Sequence, residues 1–155
     1  MRKFEFIKRL ENTEGLKLPQ RSTKSSAGHD FFAIEDFTIP PYKLGDKPIM
    51  IPTGIKVQMQ DDEFLMLVNR SSNPNKKNLI IPQAMGIIDS DYYNNESNEG
   101  EMFFAFYNLS DKPVIIKKGE KLGQGIFIRY FVTDDDKADG ERIGGFGSTG
   151  KWGAW

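Results

Sequence analysis

The stretch Glu63-Phe64-Leu65-Met66-Leu67-Val68 decides how the chain is read. It is a strand apolar on both faces, because side chains of an extended segment alternate sides and five consecutive positions here are apolar. Met102 to Tyr107 reads the same way. A two-layer sandwich wets the outer face of each sheet, so such strands need a second cover, and self-association supplies one. Working outward, residues 2–8 alternate as a strand, and Phe31-Phe32-Ala33-Ile34 and Asp36-Phe37-Thr38-Ile39 are short strands ended by Pro40-Pro41. Ile49 to Gln60 gives two strands broken at Pro52-Thr53-Gly54. Val114-Ile115-Ile116 and Leu122 to Val132 follow, joined by the turn Lys117-Lys118-Gly119-Glu120. Residues 11–28 form a polar loop, and Ser71-Ser72-Asn73-Pro74-Asn75 a capped turn that opens a short helix. Asn94 to Gly100 reads as an exposed hairpin loop. No ten-residue stretch carries a 3.6-residue period, so the chain is all-β, a sandwich or barrel of many short strands.

With 155 residues and 38% hydrophobic content the chain is one domain with a real core. A formal net charge of −1 gives it little attraction to nucleic acid or to an anionic membrane surface, so an anionic ligand must be small and met locally. It has no cysteine, which excludes disulfides and thiolate chemistry and suits the cytoplasm. The single histidine, His29, excludes a multi-histidine zinc site or a His-dependent triad elsewhere. No apolar run reaches the roughly 20 residues of a membrane helix, and the start Met1-Arg2-Lys3-Phe4-Glu5 lacks the apolar core of a signal peptide.

Chemistry concentrates in Met85-Gly86-Ile87-Ile88-Asp89-Ser90-Asp91-Tyr92-Tyr93. Read as extended, it puts Asp89 and Asp91 on one side, where they can hold a water, with aromatic rings close behind for a sugar or base. Gly140 to Gly150 contains five glycines, Arg142, Phe146, Ser148 and Thr149. Such a tail cannot bury a core, but its N–H groups can wrap phosphate oxygens while Arg142 adds charge and Phe146 stacks.

Five segments recur at wide spacing: Ala27-Gly28-His29-Asp30; Arg70-Ser71-Ser72; Gly86 to Tyr92; Gly119-Glu120-Lys121-Leu122-Gly123-Gln124; and Arg142 with Gly144 to Gly150. In this order they resemble the five motifs of the trimeric dUTP pyrophosphatases, the dUTPases, over roughly residues 18–150. The resemblance implies a homotrimer of distorted jelly rolls (the β-clip fold), with strands shared across the trimer and active sites at subunit boundaries. Residues 1–135 would form the jelly-roll domain and 136–155 a flexible glycine-rich arm closing over the site.

The implied reaction is Mg2+-dependent hydrolysis of dUTP to dUMP and pyrophosphate, which sanitises the nucleotide pool and supplies dUMP. In the family's pattern Asp89 is the catalytic carboxylate that deprotonates the attacking water and touches the sugar 3′-hydroxyl. Tyr92 packs under the deoxyribose. Arg70, Ser71, Ser72, Gln124, Arg142, Ser148 and Thr149 meet the phosphates. Gln83, Gly86 and Ile88 belong to the hairpin that reads uracil largely through its backbone, and Phe146 covers the base. Asp30 approaches Mg2+ through water, the metal having no direct protein ligand.

The chain departs from the common family pattern at His29, at Asn69 and Asn73-Pro74-Asn75, in the residues Tyr93 to Glu99 that precede Gly100, and in an Arg142-to-Phe146 spacing one residue short. Two alternatives compete. A dCTP deaminase-like enzyme shares the fold, but it needs a Glu and an Arg where this chain has Phe103-Phe104-Ala105-Phe106 and Asn73-Pro74-Asn75. A nucleotide-sensing regulator would bind a protein partner.

Overall fold

The computed structural model describes residues 1–145. Among them are eleven strands: β1 Lys3–Phe6, β2 His29–Phe32, β3 Phe37–Ile39, β4 Ile49–Pro52, β5 Ile55–Gln58, β6 Glu63–Val68, β7 Leu79–Ile80, β8 Gly86–Asp89, β9 Phe103–Asn108, β10 Val114–Ile116 and β11 Lys121–Arg129. The one α-helix, α1, spans Ser72–Lys77, and a 3-10 turn covers Ser90–Tyr92. The larger sheet runs β2-β11-β6-β8 and a second β4-β9-β7, with the pairs β1-β5 and β3-β10 completing the shell; every ladder is antiparallel.

The core lies between the two larger sheets. Phe31, Leu65, Leu67, Ile88 and Leu122 from one meet Ile51, Leu79, Phe104 and Phe106 from the other. Phe31 and Phe104 cross edge-on with ring centroids 5.5 Å apart, the geometry in which a ring's positive rim meets a negative face. Packing this close leaves no room at Gly123, where a Cβ would stand 2.4 Å from Phe104 Cε1 and 2.8 Å from the Val68 carbonyl oxygen. A bulge sits at the same place: between Lys121 and Gly123 the register of β11 against β2 shifts by one residue.

Three sequence expectations change. Asn94 to Gly100 is not an exposed hairpin loop, since Asn95 and Gly100 are buried and the segment closes on itself. Asn95 Nδ2 donates to Asn98 Oδ1 at 3.0 Å, and Asn98 Nδ2 donates to the Tyr92 hydroxyl at 2.6 Å. Leu79–Ile80 and Gly86–Asp89 do not pair as a hairpin, because the first joins β9 and the second joins β6. Ile81 to Met85 is therefore a turn crossing between sheets, with Ala84 at φ 69°. Finally, the expected short helix α1 forms, yet no side chain caps it. Asn73 Nδ2 instead donates to the Leu122 carbonyl at 2.9 Å and to Asn69 Oδ1 at 2.8 Å, pinning the helix start to β11. Pro74 is tolerated in that first turn, where its missing N–H has no partner to lose. No helix among the described residues is long and apolar enough to cross a membrane.

Glu63 opens β6 from a buried position. Hydrogen bonding from Arg2 holds its carboxyl below the ordinary value against the opposing effect of burial, and the Gln60 backbone N–H helps. A carboxyl depressed in the folded state adds stability that is complete above its unfolded pKa of about 4.3 and is lost as pH falls through the folded value. Glu63→Gln should therefore melt below the parent at pH 7, the difference shrinking as melting is followed down to pH 3.

Candidate active site

The ladders on either side of β6 place the functional side chains. Gln124 of β11 lies opposite both Val68 of β6 and Asp30 of β2. Directly opposed residues share a face, so Asp30, Gln124 and Val68 all lie on the outer face of the sheet. On the other flank Asp89 lies opposite Phe64, which shares that face with Val68. Four steps along β6 separate Phe64 from Val68, about 14 Å at roughly 3.4 Å per residue. Asp89 and Gln124 thus occupy opposite ends of one face.

At the Val68 end, Asp30 is buried under the loop that bridges to it at Gln20. The Ser22 hydroxyl donates to Asp30 Oδ2, and Lys121 Nζ lies 2.8 Å from the same oxygen. Burial pushes this carboxyl up. The hydrogen bonds from Lys121 and Ser22, with the charges of Lys121 and Arg70, outweigh burial and hold it below the ordinary value. Arg70 donates to the Lys121 carbonyl at 3.3 Å. Asn69 organises this corner: its Oδ1 accepts the Arg70 N–H at 2.9 Å and its Nδ2 donates to the Leu79 carbonyl at 3.0 Å. Ser71 and Ser72 follow at the start of α1. Gln124 fills the space left by Gly28, where a Cβ would be 2.0 Å from Gln124 Oε1.

At the Phe64 end, β8 delivers Asp89, 53% exposed at its side chain, and the chain then turns. Asp91 does not continue an extended segment as read from the sequence, because Ser90–Tyr92 is a 3-10 turn. The two carboxylates still converge, since Arg142 pairs with Asp89 through Nη2 and with Asp91 Oδ1 through Nε at 2.6 Å. Tyr92 lies buried beneath, its hydroxyl donating to the Glu101 carbonyl at 2.8 Å. Burial pushes that hydroxyl's pKa up, so it remains a donor throughout the neutral range. Gly145 rests on the ring, where a Cβ would be 2.5 Å from Tyr92 Cε1.

Among the described residues β8 is an edge strand of its sheet, paired with β6 alone. Its other side offers backbone donors and acceptors. Ile88 points into the core at 4% exposure, so only its backbone remains for a ligand, while Gln83 is exposed on the preceding turn. The structure thus brings Asp30, Arg70, Ser71, Ser72 and Gln124 together, and separately Gly86, Ile88, Asp89, Tyr92 and Arg142. Phe146, Ser148 and Thr149 lie outside the described residues. His29 belongs to neither group: it packs between Phe4 and Phe127 at centroid distances of 5.3 and 5.5 Å. Sequence reasoning missed Ser22 and the part played by Lys121, and no local pattern ties either to Asp30.

The dUTPase family model matches residues 14–150. A deoxyuridine 5′-triphosphate nucleotidohydrolase of Lactococcus lactis subsp. lactis (strain IL1403) is 45% identical over 152 residues, 97% of this chain and 98% of the relative. The crystal structure of dUTPase from Streptococcus mutans superposes with a TM-score of 0.75 at 37% identity, covering 84% of this chain and 98% of that one. A mutant dUTPase from phage phi11 of S. aureus, described for its coordination of a structural Mg(II) ion, reaches 0.68 at 19% identity over 90% of this chain and 97% of its own, a likeness of fold alone. The sandwich is the distorted jelly roll of these proteins, and with a match running nearly end to end the chain belongs to the dUTPase family.

Proposed function

We propose that this protein hydrolyses dUTP to dUMP and pyrophosphate with Mg2+, at sites assembled between the copies of a homotrimer. The observation that carries the reading is the placement of an exposed Asp89 beside Tyr92 at one end of β6 and of the Asp30, Arg70 and Gln124 group at the other. Within one chain the two ends are too far apart to grip one α-phosphate together, so in this reading a neighbour's phosphate-binding residues meet each Asp89. Between them the outer face is apolar: Phe64, Met66 and Val68 of β6, Ile126 and Ile128 of β11, and an exposed Ile87. A second copy seated on this face would cover the side of β6 that the sandwich leaves wet.

In the reaction, Asp89 orients a water and takes its proton as the water oxygen bonds to the α-phosphorus. The bond from that phosphorus to the bridging oxygen breaks, and pyrophosphate leaves with the electron pair. Tyr92 supports the deoxyribose from below and denies space to a 2′-hydroxyl. The open edge of β8, with Gly86, Ile88 and Gln83 nearby, supplies backbone partners for uracil; cytosine presents the opposite donor and acceptor pattern and leaves them unsatisfied. Arg70, Ser71, Ser72 and Gln124 hold the phosphates. Arg142, Phe146, Ser148 and Thr149, on an arm comprising residues 136–155, complete the enclosure from above.

Asp30 suits a magnesium ion that keeps its waters. It is a lone buried carboxylate beside the phosphate-binding residues, and no group of three acidic, His or Cys residues among the described residues offers direct ligation. When bound, Mg2+ would neutralise charge developing on the phosphates while Asp30 accepts hydrogen bonds from its waters. The cytoplasm, where dUTP is met, fits a chain without cysteine.

Pyrophosphate release from dUTP, dCTP, dTTP and UTP with Mg2+ should be selective for dUTP, and Asp89→Asn should lower kcat by roughly 10²–10⁴ at unchanged melting temperature. Ammonia release from dCTP would instead mark a deaminase. Unfolding Asp89→Asn and Arg70→Ala chains together and refolding the mixture should restore about a quarter of parental activity in a random trimer, since each rebuilt site needs one intact end from each of two copies. No recovery would show that each chain works alone. Gly28→Ala should displace Gln124 and raise KM for dUTP several-fold while barely moving the melting temperature, because the obstructing atom ends a flexible side chain.

A further inference from the structure

The Tyr92 hydroxyl stands in a bonding chain whose direction is fixed. Its one proton goes to the Glu101 carbonyl at 2.8 Å, so towards Asn98 it accepts, and Asn98 Nδ2 donates to it at 2.6 Å. The Asn98 amide is held the same way round by its other end. Its Oδ1 accepts from the Gly100 backbone N–H at 3.1 Å and from Asn95 Nδ2 at 3.0 Å, and a backbone N–H can only donate. The backbone around this amide is closed on itself: the Asn94 N–H donates to the Glu99 carbonyl at 3.1 Å, and the Glu99 N–H returns to the Asn95 carbonyl at 2.7 Å. Gly100 completes the turn at φ 83°, where a Cβ would stand 2.4 Å from the Tyr92 carbonyl oxygen. On the far side, Arg9 and the Gly54 N–H hold the Glu101 carboxylate, which steadies the acceptor of the Tyr92 proton.

We infer that Asn98 is a positioning residue that sets sugar specificity, because by holding the Tyr92 hydroxyl it keeps the ring from yielding to a ribose 2′-hydroxyl. The inference deepens the proposed function and rests on it for its kinetic consequence, but not for the contact itself. Ribose exceeds deoxyribose by one hydroxyl, and a site that rejects the larger sugar by bulk alone is only as selective as its wall is stiff. A tyrosine ring held at its base alone has a broad χ2 and can swing, and a movement of about 1 Å in a site is enough to change rates substantially. Burial of Tyr92 limits that swing, and bonds on both sides of its far tip oppose what is left. The residues Tyr93 to Glu99, where the chain departs from the common family pattern, thus contribute stiffness from outside the five motifs.

Asn98→Asp isolates the contact. It keeps an acceptor for Asn95 and Gly100 but presents a second acceptor to Tyr92, whose single proton cannot serve both it and the Glu101 carbonyl. In the full-length protein with Mg2+, the kcat/KM for UTP relative to that for dUTP should rise roughly tenfold in this variant. The added charge repels both triphosphates alike and cancels in the ratio, as does any general loosening of the segment. In a Tyr92→Phe background, which has no hydroxyl to hold, adding Asn98→Asp should leave the ratio where Tyr92→Phe alone put it, as expected of two residues that act through one contact. An unchanged ratio, or an equal rise in the Tyr92→Phe background, would overturn the inference. The contact has its own readout in nucleotide-free protein at pH 7: the Cζ carbon resonance of Tyr92, identified by its loss in Tyr92→Phe, should shift in Asn98→Asp, and an unmoved resonance also overturns the inference. If dUTP proves not to be a substrate, the functional reading fails while this resonance still decides whether Asn98 holds the hydroxyl.

Discussion

β6 sits between β11 and β8, and its two antiparallel registers are the constraint on which the rest depends. Side chains alternate with a period of two, so the register that buries Leu65 and Leu67 must turn Phe64, Met66 and Val68 outward. The same registers carry Asp89 and Gln124 to the outer face with them. A slip of one residue by β8 would bury Asp89 and expose Ile88, which the core does not permit. Burial of aliphatic side chains on one side of the sheet thus fixes where polar groups stand on the other. Gly123 and the bulge beside it belong to the same constraint, because they let β11 follow Phe104 closely before it reaches Gln124.

A second set of bonds ties the Asp89 end to the start of the chain. Arg9 grips the Glu101 carboxylate with two bonds of 3.0 Å, and the Gly54 N–H reaches the same carboxylate at 2.9 Å. The Glu101 carbonyl in turn accepts from Tyr92, while Asn98 holds the Tyr92 hydroxyl from the other side. The Tyr92 ring is anchored at its far tip, and the face under Gly145 is fixed by bonds made out of sight of any ligand. The segment Tyr93 to Glu99, which looks like an interruption in the sequence, is part of that support, with Tyr93 itself bonded to Glu5 at 2.8 Å.

The fold class was legible because strands apolar on both sides leave a strong trace, and most strands among the described residues overlap a stretch read as extended, though β2 starts two residues earlier than read. Only β7 escaped, since two residues carry no pattern. The motif residues were legible as a set through family resemblance, and the structure groups them at two ends of one face. What could not be read was long-range partnership. Nothing near Lys121 announces Asp30, and nothing near Arg9 announces Glu101, because a bond across the fold leaves no local periodicity. Asn69 and Asn73 do sit four apart, but such a pair in a polar turn has no unique meaning until β11 is seen to lie against it.

The shortness of β8 has a consequence of another kind. An open sheet border is a template on which stray chains can add themselves, and proteins blunt such borders with brevity and charge. β8 runs for only four residues and stops at an acid, with another acid just beyond it. The border left free to recognise a base is also guarded against unwanted cross-β growth, by the carboxylate proposed to serve the chemistry and by the acid just beyond it. Solubility and catalysis would then draw on the same side chain, Asp89.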